Sequence, residues 1–159
     1  MTTEADTNSG IMNIESGKVW IQVPCAVDSG ACSHVSPPYR FSILGPKPLI
    51  EKPKFFGAEG SPIDNYGECP VEAVLEDNTK MHTLFNIAKI TRPLMSVTRT
   101  TTNGHHVIFG KDERFIKIAG SNKKIKLRKD GQLWMLDMWV QVPEEIARAS
   151  PFARQVSAP

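Results

Sequence analysis

The sequence predicts an all-β, barrel-like domain with one short helix, and three observations lead to this fold class. Short apolar runs follow one another at close spacing along most of the chain. Clusters of glycine, asparagine and aspartate separate these runs, as they do in tight turns between strands. Only residues 96–102 are flanked by the start and stop signals of a helix. Many short strands with little helix are typical of small barrels.

Length and composition set the broad class of the protein. The chain has 159 residues, 40% of them hydrophobic, which suffices for one domain with a buried core. We expect this domain at residues 17–142, between a flexible arm at 1–16 and a flexible tail at 143–159. A formal charge of only +2 argues against a dedicated DNA-binding protein, and no apolar run approaches the length of a membrane span. The odd set of three cysteines favours reduced thiols and an intracellular, cytoplasmic location.

The first half of the chain is predicted to form one long strand and two hairpins. Residues 18–27 alternate apolar side chains with others, which is the pattern of a strand. Five prolines between residues 36 and 54 exclude a helix and favour an extended excursion, which a short strand at 41–44 could interrupt. The two hairpins follow, one with a mobile glycine-containing tip at residues 54–66 and one that joins 71–75 to 81–87.

The second half of the chain begins with the short helix. Pro93 precedes it and Asn103-Gly104 ends it, because glycine tolerates the left-handed conformation at a helix C-terminus. Asp130-Gly131 is a strong signal for a hairpin turn. From residue 143 onward the sequence predicts at most one helical turn, at 144–149. Four further strands are predicted at residues 106–109, 114–118, 124–128 and 133–140.

Residues 26–31 read Ala-Val-Asp-Ser-Gly-Ala and form the most informative motif. The carboxylate of Asp28 follows an apolar strand, the Ser29 hydroxyl can bond to neighbouring backbone, and Gly30 lets the chain turn sharply beside a substrate. This is the signature of an aspartic protease. A turn of the same sequence also arises by chance. The context favours the protease interpretation, since a glycine-containing hairpin follows the motif and the apolar pair Leu94-Met95 precedes the short helix.

Aspartic protease chemistry requires two carboxylates that face each other. Because the two cannot both ionise at close range, the ionised one can deprotonate a water molecule while the protonated one polarises the scissile carbonyl. No other aspartate in the chain is followed by serine or threonine and then glycine. A twofold homodimer is therefore the economical source of the second carboxylate. This chemistry requires no metal and no organic cofactor.

These segments resemble the retropepsin-like aspartic proteases, and within them the protease domains of copia-type retrotransposon polyproteins. Residues 27–34, Val-Asp-Ser-Gly-Ala-Cys-Ser-His, are similar to the copia-type pattern. Residues 93–97, Pro-Leu-Met-Ser-Val, look like the family's step into its short helix, although Ser96 stands where retroviral members have a glycine. The resemblance covers residues 18–140 and includes the strands that close the domain, at residues 106–109, around 116, 124–127 and 131–137.

The resemblance implies a closed β-barrel protomer, a homodimer with one active site on its axis, and flaps that close over an extended peptide. It also implies a role in polyprotein processing. Asp28 would be the catalytic carboxylate, Ser29 its orienting hydroxyl and Gly30 a backbone contact to the substrate. The residues implied to bind substrate are Ala31 and the flap residues Phe56, Gly57, Ala58, Glu59, Gly60 and Ser61.

Other interpretations of the sequence stay open. The fold could serve as a dimerising or peptide-binding module without turnover. Cys25, Cys32 and His34 suggest zinc, but they supply only three ligands and no Cys-x-x-Cys pair. A Ser-His-Asp triad is also open, although the chain has no Gly-x-Ser-x-Gly motif. Residues 111–130 hold eight basic and three acidic residues, yet nucleic acid is disfavoured as a partner because the basic strand itself lacks aromatic residues that stack on bases.

Overall fold

A computed structural model describes residues 17–38, 54–149 and 155–159. The predicted arm at 1–16, the predicted strand at 41–44 and most of the proline-rich stretch lie outside these residues. The described part of the chain is mostly β, as the sequence predicted. Its elements are β1 (Lys18–Asp28), β2 (Val35–Ser36), β3 (Phe55–Phe56), β4 (Pro62–Ile63), β5 (Asn65–Val74), β6 (Lys80–Ala88), β7 (Leu94–Ser96), α1 (Val97–Thr102), β8 (His106–Phe109), β9 (Arg114–Lys117), β10 (Lys124–Lys126), β11 (Arg128–Asp130), β12 (Leu133–Pro143), α2 (Glu144–Ala149) and β13 (Gln155–Val156).

The longest strand pair is formed by β1 and β12. In β1 every second side chain from Val19 to Cys25 is buried, and the residues between them are half-buried. A period of two places one face of the strand in the core. The two strands run antiparallel, from Lys18 opposite Pro143 to Ala26 opposite Met135. This long ladder fixes the position of the C-terminal end of β1, where the Asp-Ser-Gly motif begins.

Eight of the described strands form one sheet, in the order β11-β12-β5-β6-β2-β7-β1-β13. Because β1 also pairs with β12, the pairing runs from β12 through β5, β6, β2 and β7 to β1 and returns to β12. Two of these neighbours are parallel, β1 with β7 and β2 with β6. The parallel pairing of β1 and β7 brings their C-terminal ends to the same edge of the molecule.

A smaller sheet, in the order β10-β9-β8, covers part of the core. Its Ile116 and Ile125 belong to the same buried cluster as Val23, Phe85 and Leu136 of the large sheet. The two sheets therefore share one hydrophobic core.

The predicted hairpins are present, with one change in the division of the strands. β5 and β6 pair from Asn65 opposite Ala88 to Val74 opposite Lys80. The turn before β12 contains Gly131 with a φ of +57°.

The predicted single strand at 124–128 is two strands in the structure. Leu127 donates its amide to the Arg114 carbonyl oxygen (3.0 Å), and the chain then leaves β9 and pairs with β12.

The described residues contain two six-residue helices. The first, α1, confirms the helix predicted at 96–102, and the second, α2, lies where the sequence allowed one helical turn. In the segment predicted as a flexible tail, the Glu144 amide donates to the Gly17 carbonyl oxygen (2.7 Å) and Val156 pairs with Trp20 of β1. No helix in the described part of the chain has the length and apolar character needed to span a membrane.

Candidate active site

Asp28 is the last residue of β1 and lies beside the step from β7 into α1. The parallel register places Asp28 next to Ser96 and Val27 next to Met95. The Ala26 amide donates to the Pro93 carbonyl oxygen at 3.0 Å, which extends the connection between the two segments. The sequence motif and the segment 93–97, which are far apart in the chain, therefore form one structural unit.

The turn after β1 holds the Asp28 carboxylate through a backbone amide. Gly30 donates its N–H to Asp28 Oδ1 at 2.7 Å. A Cβ on Gly30 would lie 3.3 Å from the same oxygen, so a side chain there would press on the carboxylate. Asp28 is half-buried, whereas Ser29 and Gly30 are exposed. The carboxylate is thus oriented by the turn and stays at the surface of the protomer.

Ser96 connects this turn to the helix, and the residue is fully buried. Its hydroxyl donates to the Ala31 carbonyl oxygen (2.6 Å) and accepts from the Arg99 amide (3.1 Å), which makes it the N-cap of α1. Thr100 donates its hydroxyl to the Ser96 carbonyl oxygen at 2.8 Å. A glycine at this position would lack the hydroxyl and could make neither of the first two bonds.

His34 contacts the same unit through the backbone of Ser96. It is buried, and its Nδ1 accepts the Ser96 amide hydrogen at 3.0 Å. Burial, with a smaller contribution from the positive charge of Arg99, lowers the pKa of His34 from 6.5 to about 4. The ring is therefore neutral at pH 7, and because Nδ1 accepts, its proton is on Nε2.

The hairpin predicted at residues 54–66 is present as β3 and β4. Phe55 pairs with Ile63 and Phe56 with Pro62. At the tip, Gly57 donates its amide to the Ser61 carbonyl oxygen (2.8 Å) and Gly60 donates to the Gly57 carbonyl oxygen (2.9 Å). Gly60 has a φ of +82°, a backbone conformation that residues other than glycine rarely adopt. Ala58, Glu59 and Ser61 are exposed on this turn.

A small apolar cluster connects this hairpin to the strand that follows the Asp28 turn. Phe55 is buried with Val35 of β2 and Ala88 of β6, and Ile63 and Ile90 pack against them. The neighbouring Phe56 points outward and is 60% exposed. The hairpin is therefore anchored to β2 and β6, with a large apolar side chain exposed at its base.

The structure brings the predicted site residues into two groups. Asp28, Ser29, Gly30 and Ala31 form the turn, and the hairpin holds Phe56, Gly57, Ala58, Glu59, Gly60 and Ser61. Sequence reasoning did not predict that Ser96 and His34 support the turn, and it considered His34 only as a zinc ligand. A serine at the start of a helix is a signal for an N-cap, so the helix contact of Ser96 could have been predicted. The distant contact between His34 and Ser96 has no local signal.

The residues considered for zinc lie in different environments. Cys25 is buried in the core, Cys32 is exposed, and Nδ1 of His34 accepts the Ser96 amide. Within residues 17–38, 54–149 and 155–159, no three His, Cys, Asp or Glu side chains are grouped as metal ligands would be.

Comparison of the chain with protein-family models, with curated proteins and with solved structures gave no match.

Proposed function

We propose that this protein is an aspartic endopeptidase of the retropepsin-like type, in which a homodimer brings together one Asp28 from each chain. The observation that carries the proposal is the Asp28 turn. Its carboxylate is oriented by the Gly30 amide, and the loop is anchored to the start of α1 through Ser96. The circuit of strand pairing that returns to β12 supports a closed barrel as the scaffold.

The exposed turn leaves room for a second copy of the chain. Ser29 and Gly30 are exposed at the end of β1, so another protomer can approach them along a twofold axis. In the dimer the two Asp28 carboxyl groups would lie close together. One would then be ionised and the other protonated, because two adjacent negative charges repel each other strongly.

The reaction divides the proton transfers between the two carboxyl groups. The ionised Asp28 removes a proton from a water molecule, whose oxygen attacks the scissile carbonyl carbon. Asp28 of the partner subunit donates its proton to the carbonyl oxygen, which gives a neutral tetrahedral diol. The first carboxyl group then donates its proton to the amide nitrogen as the C–N bond breaks, and a diol hydroxyl returns a proton to the second carboxylate. The products are a carboxylic acid and an amine, and the dyad is regenerated.

The hairpin supports an extended peptide as the substrate. Its exposed tip provides backbone groups that can pair with a peptide in β conformation, and Phe56 offers an exposed apolar side chain at the base of the hairpin. An apolar side chain on the hairpin suits a substrate with apolar residues on either side of the cleaved bond. Cleavage at defined junctions within a polyprotein is the role that we propose.

Replacement of the carboxylate tests the proposal. Asp28→Asn keeps the size of the side chain but can neither ionise nor supply the shared proton, so cleavage of a mixed peptide library should be lost from about pH 4 to about pH 7. Asp112→Asn makes the same chemical change on the exposed turn before β9 and should leave cleavage intact.

Circular dichroism of both variants would establish that they are folded. Full cleavage by a folded Asp28→Asn protein would overturn the proposal. Absence of cleavage by a wild-type protein that is demonstrably dimeric would also contradict it.

A further inference from the structure

The small sheet has an outward face that carries basic and aromatic side chains together. Residues directly opposite each other in an antiparallel pair lie on the same face of the sheet. Lys117 of β9 is opposite both His106 and Lys124, and Phe115 is opposite both Ile108 and Lys126. We call this set the basic face, and it comprises His106, Ile108, Phe115, Lys117, Lys124 and Lys126.

The other face of the same sheet is turned toward the core. Ile116 and Ile125 lie opposite each other on it, and both are buried. Since side chains alternate along each strand, the basic face is directed away from the core. Lys117, Lys124 and Lys126 are exposed accordingly. Their charges are therefore available to a ligand.

A groove of about 330 Å³ lies beside the basic face and contains two aromatic rings. Lys124 Nζ lies 4.6 Å from the centre of the Phe115 ring, and the Arg114 guanidinium carbon lies 4.1 Å from that of Trp134. A cation therefore lies over one face of each ring, and a base that stacks there must displace it. Besides the two rings, the groove is lined by the basic residues Arg114, Lys124 and Lys126 and by the acidic residues Asp112 and Glu113.

Positive charge is concentrated in this part of the chain. Residues 111–130 contain eight basic and three acidic residues, whereas the formal charge of the whole chain is only +2. The rest of the molecule is therefore net acidic. Three of the eight, Lys117, Lys124 and Lys126, lie on the basic face, whereas Arg128 is paired with Asp137. A local excess of positive charge of this kind can attract a polyanion.

We propose that the basic face and the adjoining groove bind single-stranded nucleic acid, independently of the proposed peptidase site. Phosphates would contact Lys117, Lys124 and Lys126, and bases would stack on Phe115 and Trp134. The aromatic rings decide between ligands, because a single strand exposes its bases for stacking and a duplex does not. The basic strand β10 has no aromatic residue, but its register against β9 places Phe115 directly among its lysines.

The first test measures the contribution of charge. Fluorescence anisotropy would follow binding of labelled oligouridylate and oligothymidylate of about twenty nucleotides, and of a duplex of the same length, over a range of salt concentrations. Lys117→Gln combined with Lys126→Gln should weaken binding of the single strands and reduce the slope of log K against log salt by about 1.4. Lys54→Gln combined with Lys89→Gln removes the same charge from exposed positions elsewhere and should leave the slope unchanged.

The second test measures stacking. Phe115→Leu keeps an apolar side chain but removes the ring, and should weaken binding of single strands about five-fold or more without changing the salt slope. Phe109→Leu makes the same change at an exposed position of β8 outside the basic face and should have no effect. Thermal unfolding would establish that each variant is folded.

Three results of the oligonucleotide measurements would overturn the proposal. The first is that neither single strand binds measurably at low salt. The second is that the lysine double variant and its control lose equal affinity, and the third is that the duplex binds as tightly as the single strands. Binding of phosphatidylserine vesicles in preference to the oligonucleotides would assign the face to a membrane surface and would likewise contradict it. Retention of nucleic-acid binding by Asp28→Asn would show that the two sites act separately.

Discussion

At the scale of single residues, the position of Ser96 explains how a polar side chain is tolerated without solvent. A buried hydroxyl that lacks partners destabilises a fold. Ser96 avoids this cost because its hydroxyl donates to Ala31 and accepts from Arg99, while its amide donates to His34. The same bonds transmit the position of α1 to the Asp28 turn. Ser96 is thus a structural link between the turn and the helix.

The titration of His34 should make stability depend on pH. Its pKa is about 4 in the folded chain, mainly because of burial, and 6.5 is the ordinary value. Between these values the unfolded chain binds a proton that the folded chain does not, so stability falls as the pH decreases from about 6.5 toward about 4. Urea unfolding at pH 7 and at about pH 4.5 should give free energies of unfolding that differ by roughly 2 kcal/mol from this group.

His34→Asn isolates this effect, because asparagine keeps an acceptor for the Ser96 amide but does not titrate. The variant should lose the part of the pH dependence that His34 contributes and keep the part due to His105, whose pKa burial also lowers. An unchanged pH dependence in His34→Asn would contradict the assignment.

At the scale of elements, the β3–β4 hairpin combines a fixed base with an exposed tip. Two neighbouring phenylalanines show the difference, since Phe55 is 8% exposed and Phe56 is 60% exposed. Phe55 packs with Val35 and Ala88, so it determines where the hairpin lies. Phe56 faces solvent, so its side chain is available to a molecule that binds at the hairpin.

This pair predicts a separation of stability from function. Phe55→Ala should lower the free energy of unfolding by about 3 kcal/mol, because it leaves a cavity in the cluster. Phe56→Ala should change that energy by less than about 0.5 kcal/mol. If the hairpin covers the substrate, Phe56→Ala should raise KM for a cleaved peptide and leave the fold unchanged. Chemical unfolding and steady-state kinetics would measure the two effects, and an unaltered KM would argue against the covering role.

At the scale of the whole molecule, the proposed chemistry cannot be completed by one chain. The Asp-Ser-Gly motif occurs once in the chain, and we propose that a second copy supplies the second carboxylate. Activity should therefore depend on association of the protein. A strictly monomeric but active protein in sedimentation would contradict the proposal.

Mixed dimers provide a sharper test. When a fixed amount of wild-type protein is refolded together with an equal amount of Asp28→Asn, random pairing leaves about half of the wild-type subunits in homodimers. Peptidase activity should fall to about half of its original value. Co-refolding with Asp112→Asn should not lower it. No loss with Asp28→Asn would show that each chain works alone.

The sequence by itself predicted the all-β class, the hairpins, the α1 helix and the Asp-Ser-Gly turn. These features depend on local patterns. Alternation of side chains determines which face of β1 is buried, and residues such as Gly131 allow the tight turns between strands. The start of α1 was also predictable, because a serine that caps a helix acts within one turn of the chain.

Only the tertiary structure decided which distant segments meet. The parallel pairing of β1 with β7 places Asp28 beside Ser96, and the fold brings His34 onto the Ser96 amide. The register of β9 against β10 places Phe115 among lysines that are separate from it in the sequence. Each of these contacts joins residues through strand pairing or burial in a shared core, and such long-range contacts leave no periodic signal in the local sequence.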